Sequence, residues 1–174
     1  DGTNTLQLRV DRPIPPANDA CANAEAIPAN AVFPYLTAIH NIAAAQNESP
    51  MDVPQCQPYS DRSIWFKYRP PATSTYTFAT CSELTATQVS DTVMAIYLAQ
   101  SGCSGTLIEK ACNDDDWSDG GTNCLDYPYQ SFIEATLDAG IDYYIVVWQW
   151  YHPDSENILH PSDSFVQLYV NDPN

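Results

Sequence analysis

Apolar and polar residues alternate in short runs along this chain, and the runs predict strands. From Ser63 onward, Ile64, Phe66 and Tyr68 alternate with Trp65, Lys67 and Arg69, the two-residue period of a strand with two different faces. Pro70-Pro71-Ala72 turns the chain, and Tyr76, Phe78 and Thr80 carry a second strand into Cys81. Residues 91–100, DTVMAIYLAQ, are apolar on both faces, which predicts a central strand. Leu107-Ile108 with residues 110–113 make the next short strand, residues 131–137 another, and after a turn at Gly140 comes the strongest, residues 143–151. Residues 165–170 close the series, and residues 31–35 and 36–39 add two short strands to an Ala-, Pro- and Asn-rich opening. Many short strands at spacings of roughly 10 to 20 residues, with Pro, Gly and Asn between them, predict an all-β fold, a β-sandwich or jelly roll.

One strand pattern occurs twice. TLQLRVDRP at residues 5–13 aligns with FVQLYVNDP at residues 165–173, so that Leu6, Leu8 and Val10 sit over Val166, Leu168 and Val170 at an offset of 160 residues. Each copy ends in a polar pair and a proline. After the first come Ile14-Pro15-Pro16-Ala17, a tether too proline-rich to belong inside a sheet. The repeat predicts an N-terminal extension strand with its linker at residues 1–17 and a sandwich domain at residues 18–174. Residues 5–10 are then either a donor strand for another domain or the ordinary first strand of this one.

Composition narrows the partners. With 22 acidic against 6 basic residues the net charge is −16, which repels nucleic acid and anionic membrane surfaces and favours cations, calcium first. Six cysteines with no C-x-x-C pair predict a disulfide-stapled domain in an oxidising, extracellular setting, secreted or at a cell surface. No apolar run is long enough to span a bilayer, so no membrane insertion is expected. No leader peptide is seen, and Asp1 is expected to be a mature N-terminus if the chain is exported.

Taken in order, NDACANAEAIP, VPQCQ, SIWFKYRPPATSTYTFATC, SDTVMAIY, GCSGTLIEKACNDDD and AGIDYYIVVW resemble the cysteine-containing relatives of the bacterial pre-peptidase C-terminal domain. The resemblance covers residues 18–170. It implies a secreted β-sandwich module, often found in tandem, whose preceding segment is the last strand of the domain before it. It implies binding or adhesion rather than catalysis. Trp148 and Gln149 depart from the family pattern, which is usually small there.

Spacing proposes bridges Cys103–Cys112, Cys21–Cys56 and Cys81–Cys124 among the 15 possible pairings. The chemistry-bearing run is Asn113-Asp114-Asp115-Asp116, with Asp119 and Asp126 beyond it and Asp91 brought to the same edge by the fold. It is either a calcium site of hard oxygen ligands or a solvated acidic turn. It is not an EF-hand, because Gly120 comes one residue late and Leu125 stands where the closing glutamate belongs. Trp148 and Trp150, with Tyr144 and Val146, form a stripe on one face of their strand, either an aromatic surface for sugars or a face covered by other chain; Trp117 is a third platform. Asn47-Glu48-Ser49 is a glycosylation sequon, disfavoured by Pro50.

His40, His152 and His160 lack zinc spacing, and no nucleophile elbow or phosphate loop occurs, so no enzyme is expected. Two functions follow. One is the protomer of an extracellular filament or tandem array, with identical subunits or adjacent domains as partners. The other is a calcium-braced module that binds glycans or mediates adhesion.

Overall fold

The computed structural model describes residues 14–47, 54–117, 123–151 and 163–172, and they form an all-β fold. The short 3-10 turn Cys21–Asn23 leads into β1 (Glu25–Ile27), β2 (Tyr35–Leu36) and β3 (His40–Asn41). The long strands are β4 (Ser60–Tyr68), β5 (Ser74–Ala79), β6 (Thr92–Ala99), β7 (Leu107–Asn113), β8 (Phe132–Leu137) and β9 (Tyr143–Trp150). Two short strands, β10 (Phe165–Val166) and β11 (Tyr169–Asn171), end the series.

They form a five-stranded sheet in the order β1-β4-β9-β6-β7 and a four-stranded sheet in the order β2-β11-β5-β8, with β3 and β10 as a separate pair. Among the named strands of the described residues, only the β1–β4 pairing is parallel.

The core lies between the sheets because alternate residues of both point there. Ile64, Phe66, Tyr68, Met94, Ile96, Tyr143, Ile145 and Val147 come from one sheet, and Tyr76, Phe78, Ile133, Leu137 and Val170 from the other. Tyr68 sets its ring edge against Tyr76 and Phe78 across the gap, a geometry that aromatic quadrupoles favour. Arg69 Nε donates to the Gly140 carbonyl, and Gly140 adopts φ 72°, the left-handed turn that returns β8 into β9.

The opposite face of the five-stranded sheet is also apolar and covered. Trp65, Val93, Ala95, Tyr97, Tyr144, Val146 and Trp148 cluster there with Cys21. This corrects one expectation: the stripe does point away from the core, but Trp148 is only 5% exposed and Trp150 is partly buried, so they are not a surface ladder. A sheet apolar on both faces needs cover on both.

Two of the three spacing-based bridges are also corrected. The disulfides are Cys21–Cys103, Cys56–Cys112 and Cys81–Cys124. Residues 107–113 pair along β6 as β7 rather than folding back on residue 103. At about 3.3 Å of rise per residue, that carries Cys112 out of reach of Cys103. Each of those cysteines instead pins part of the irregular N-terminal third to the five-stranded sheet.

The closing segment differs in detail from one continuous strand. Phe165-Val166 pairs with β3, and Tyr169–Asn171 pairs with β2 and β5. Its buried set is the expected one, with Val166, Leu168 and Val170 all 0% exposed. Residues 5–10, with Leu6, Leu8 and Val10, lie outside the described residues, as do Asp119, Gly120, His152 and His160.

Candidate metal centre

Antiparallel register builds the site. Met94 of β6 stands opposite Asn113 of β7, so the residue before β6 and those after β7 meet at one end of the five-stranded sheet. Carboxylate oxygens of Asp91, Asp114 and Asp115 come within 4.8 Å of one another there, a set able to hold a metal ion. Asp91 Oδ1 is shielded from solvent and has no hydrogen-bond partner. Burial first, then the charges of Asp114 and Asp115, push its pKa up to about 7. A cation among three carboxylates would supply both the missing partner and the missing charge, so the donor set fits one.

The backbone under the triad is held firmly. The Asp91 carbonyl accepts from Trp150 N at 3.2 Å, and Thr92 N donates to the Tyr129 carbonyl at 3.1 Å. Thr92, Thr80 and Ser131 form a buried hydroxyl network, in which Ser131 Oγ donates to the Thr92 carbonyl at 2.6 Å and the Thr80 and Thr92 hydroxyls stand 2.7 Å apart. Gln130, fully buried, donates to the Val89 carbonyl and accepts from Ser82 N. From the other side Gln57 Nε2 reaches Asp114 Oδ2 at 2.7 Å, close to the Cys56–Cys112 bridge.

The acidic run splits by role. Asp114 and Asp115 join Asp91, whereas Asn113 and Asp116, both expected as ligands, are 4% exposed and serve the backbone. Asn113 Oδ1 accepts from Phe132 N at 2.9 Å, and its amide donates to the Asp115 carbonyl. Asp116 accepts from Asn123 N, Asn123 Nδ2 and Cys124 N at 2.6–3.0 Å. Two main-chain N–H groups and one side-chain amide already engage that carboxylate, and Asp116 lies outside the group formed by Asp91, Asp114 and Asp115.

Of the other site expectations, Asp126 donates its backbone N–H to Glu83 rather than joining the triad. Asn47 is exposed and donates to the Ser60 carbonyl at 2.8 Å, while residues 48 and 49 of its sequon lie outside the described residues. His40 bonds Glu25 at 2.6 Å and sets its ring edge against Phe66, tying β3 to β1. Its bond, with one from Ala38 N, outweighs the burial that would raise the Glu25 pKa, and lowers it.

Gln57, which holds Asp114, escaped sequence reasoning. Among the described residues no helix is long and apolar enough to cross a membrane, and three disulfides indicate an oxidising compartment. No protein-family model matches the chain, and neither does any curated protein or solved structure.

Proposed function

We propose that the chain is the structural protomer of an extracellular filament or tandem array, in which residues 5–10 of one copy add as a strand to the sandwich of the next. The observation that carries this reading is the behaviour of the second copy of the motif. Val166, Leu168 and Val170 bury completely in this fold, and Leu6, Leu8 and Val10 repeat their pattern ahead of a proline-rich tether. The internal position is already filled by β11 between β2 and β5, so the first copy is left for an edge.

The β7–β8 side supports such an edge. Strand β8 ends its sheet, with Ile133, Ala135 and Leu137 buried and Glu134 and Thr136 outward. Across the gap Ile108 stands opposite Leu98, which packs on the core, yet Ile108 is 44% exposed. A strand laid there covers it. Donation of this kind is head to tail and open-ended, and the reading assigns the chain no catalysis. Negative-stain microscopy of the intact protein with light scattering tests it. Fibres with an axial repeat of roughly 40 Å, about one domain of this size, are expected; a monodisperse monomer at all concentrations overturns the reading.

Calcium is the ion this reading places in the triad, since carboxylate oxygens on loops suit its flexible coordination. At calcium about 100 times its dissociation constant the stabilisation is about 2.7 kcal/mol, or a rise of roughly 5–10 °C in melting temperature for a domain of this size. Asp114→Asn and Asp115→Asn are expected to abolish the rise.

The pH dependence has a definite sign. Between its ordinary value of 3.8 and about 7, folded metal-free protein keeps a proton on Asp91 that the unfolded chain has lost. Metal-free stability therefore falls as pH rises through that window and levels off above it. Calcium competes with that proton, so its stabilising effect grows over the same range. Melting curves with calcium and with a chelator at pH 5, 6, 7 and 8 check both trends.

A further inference from the structure

The loop end that holds the triad also carries five exposed aromatic residues: Trp117 (56% exposed), Tyr129 (49%), Tyr127 (45%), Tyr59 (41%) and Tyr151 (37%). A series of backbone hydrogen bonds brings the segments that carry them together. Trp117 N donates to the Pro128 carbonyl, between Tyr127 and Tyr129. Thr92 N donates to the Tyr129 carbonyl. The Asp91 carbonyl accepts from Trp150 N, and Tyr151 N donates to the Tyr59 carbonyl. The order across this end is therefore Trp117, the Tyr127-Pro128-Tyr129 loop, the Asp91 edge of the triad, then Tyr151 and Tyr59.

A belt of ring-bearing residues interrupted by carboxylates and by the amide of Gln57 differs in character from the continuous apolar faces inside this protein.

We propose that this belt is a binding face for neutral polysaccharide. Sugar rings offer apolar C–H faces that stack on aromatic rings, and hydroxyls that donate to carboxylates. This end presents both kinds of group. The net charge of −16 disfavours uronic or sulfated chains, which leaves neutral glycans as the class. The face uses none of the residues assigned to strand donation. In an assembled array it is repeated along the axis, so weak single sites gain avidity.

The test is co-sedimentation of the full-length protein with insoluble cellulose, chitin, xylan and β-1,3-glucan. Polygalacturonate gel is the acidic comparison. Retention on at least one neutral polymer is expected, and Trp117→Ala with Tyr129→Ala is expected to weaken it about tenfold or more, the equivalent of 1.4 kcal/mol. Trp117→Phe keeps a ring and is expected to retain most of the binding. Tyr59→Ala, on the far side of the triad, provides a second variant whose folding does not depend on the Trp117 loop; it too should weaken retention. Melting curves confirm that each variant is folded. No retention on any neutral polymer overturns the proposal, as does binding confined to polygalacturonate or retention unmoved in both the double variant and Tyr59→Ala.

Discussion

Protein lacking residues 1–13 is expected to stay monomeric at concentrations where the intact chain polymerises. Those residues contribute Leu6, Leu8 and Val10 and the proline that ends the strand, and the assembly proposed above has no other donor. The sandwich itself should be little affected, because Val166, Leu168 and Val170, the copy of the pattern that belongs to this domain, are themselves fully buried. Melting curves of the truncated and intact monomers are therefore expected to coincide, while light scattering separates them fully.

A single substitution makes the same point without removing chain. Full burial of one leucine side chain is worth about 1.5–3 kcal/mol. Leu8→Asp loses that and places a carboxylate in an apolar slot, so the critical concentration for assembly should rise on the order of 100-fold or more. Arg9→Asp, one residue along and on the opposite face, should change it much less. Equal effects at both positions would mean that the segment acts through its charge and not as a strand.

The second large effect is expected at Asp116. Its buried carboxylate accepts three hydrogen bonds, two from main-chain N–H groups of Asn123 and Cys124 and one from the Asn123 side chain. Asp116→Ala leaves those donors without their acceptor beside the Cys81–Cys124 bridge. Charge-assisted bonds of this kind and the cost of stranded donors put the loss at about 2–4 kcal/mol, roughly 5–15 °C in melting temperature at this chain length.

Its neighbour should behave in the opposite way. Asp115→Asn removes one of three crowded charges, so metal-free protein should be as stable as before or more so, while the calcium response is lost. Thermal melts of both variants with calcium and with chelator separate the two roles. If Asp116→Ala melts with the intact protein, the loop is held by something other than that carboxylate.

That contrast marks how far the sequence could be read. The strands β4, β5, β6, β8 and β9 were legible because their alternation, or apolar character on both faces, is a direct consequence of their place in a sheet. The side of β9 to which Trp148 points was legible too, since the period fixes it. Whether that side meets water was not, because the cover comes from chain distant in sequence. Strand β1 was missed for a similar reason: Glu25-Ala26-Ile27 is too short to show a period, and its parallel pairing with Phe66, Lys67 and Tyr68 is a tertiary event.

In the acidic run, the sequence shows four oxygen-bearing side chains but not which of them main-chain N–H groups already occupy. The structure divides them, with Asp114 and Asp115 turned to Asp91 and with Asn113 and Asp116 turned to the backbone. Cysteine pairing failed where local closure was assumed, since β7 extends along β6 and carries Cys112 away from Cys103.

The assembly is tested most directly by a helical reconstruction of the fibres by electron cryo-microscopy, at a resolution that traces main chain. The account predicts extended density for residues 5–10 of each subunit paired with an edge strand of its neighbour, with Leu6, Leu8 and Val10 facing that neighbour's core. Density that keeps residues 5–10 within their own subunit, or joins subunits through some other surface, would contradict it.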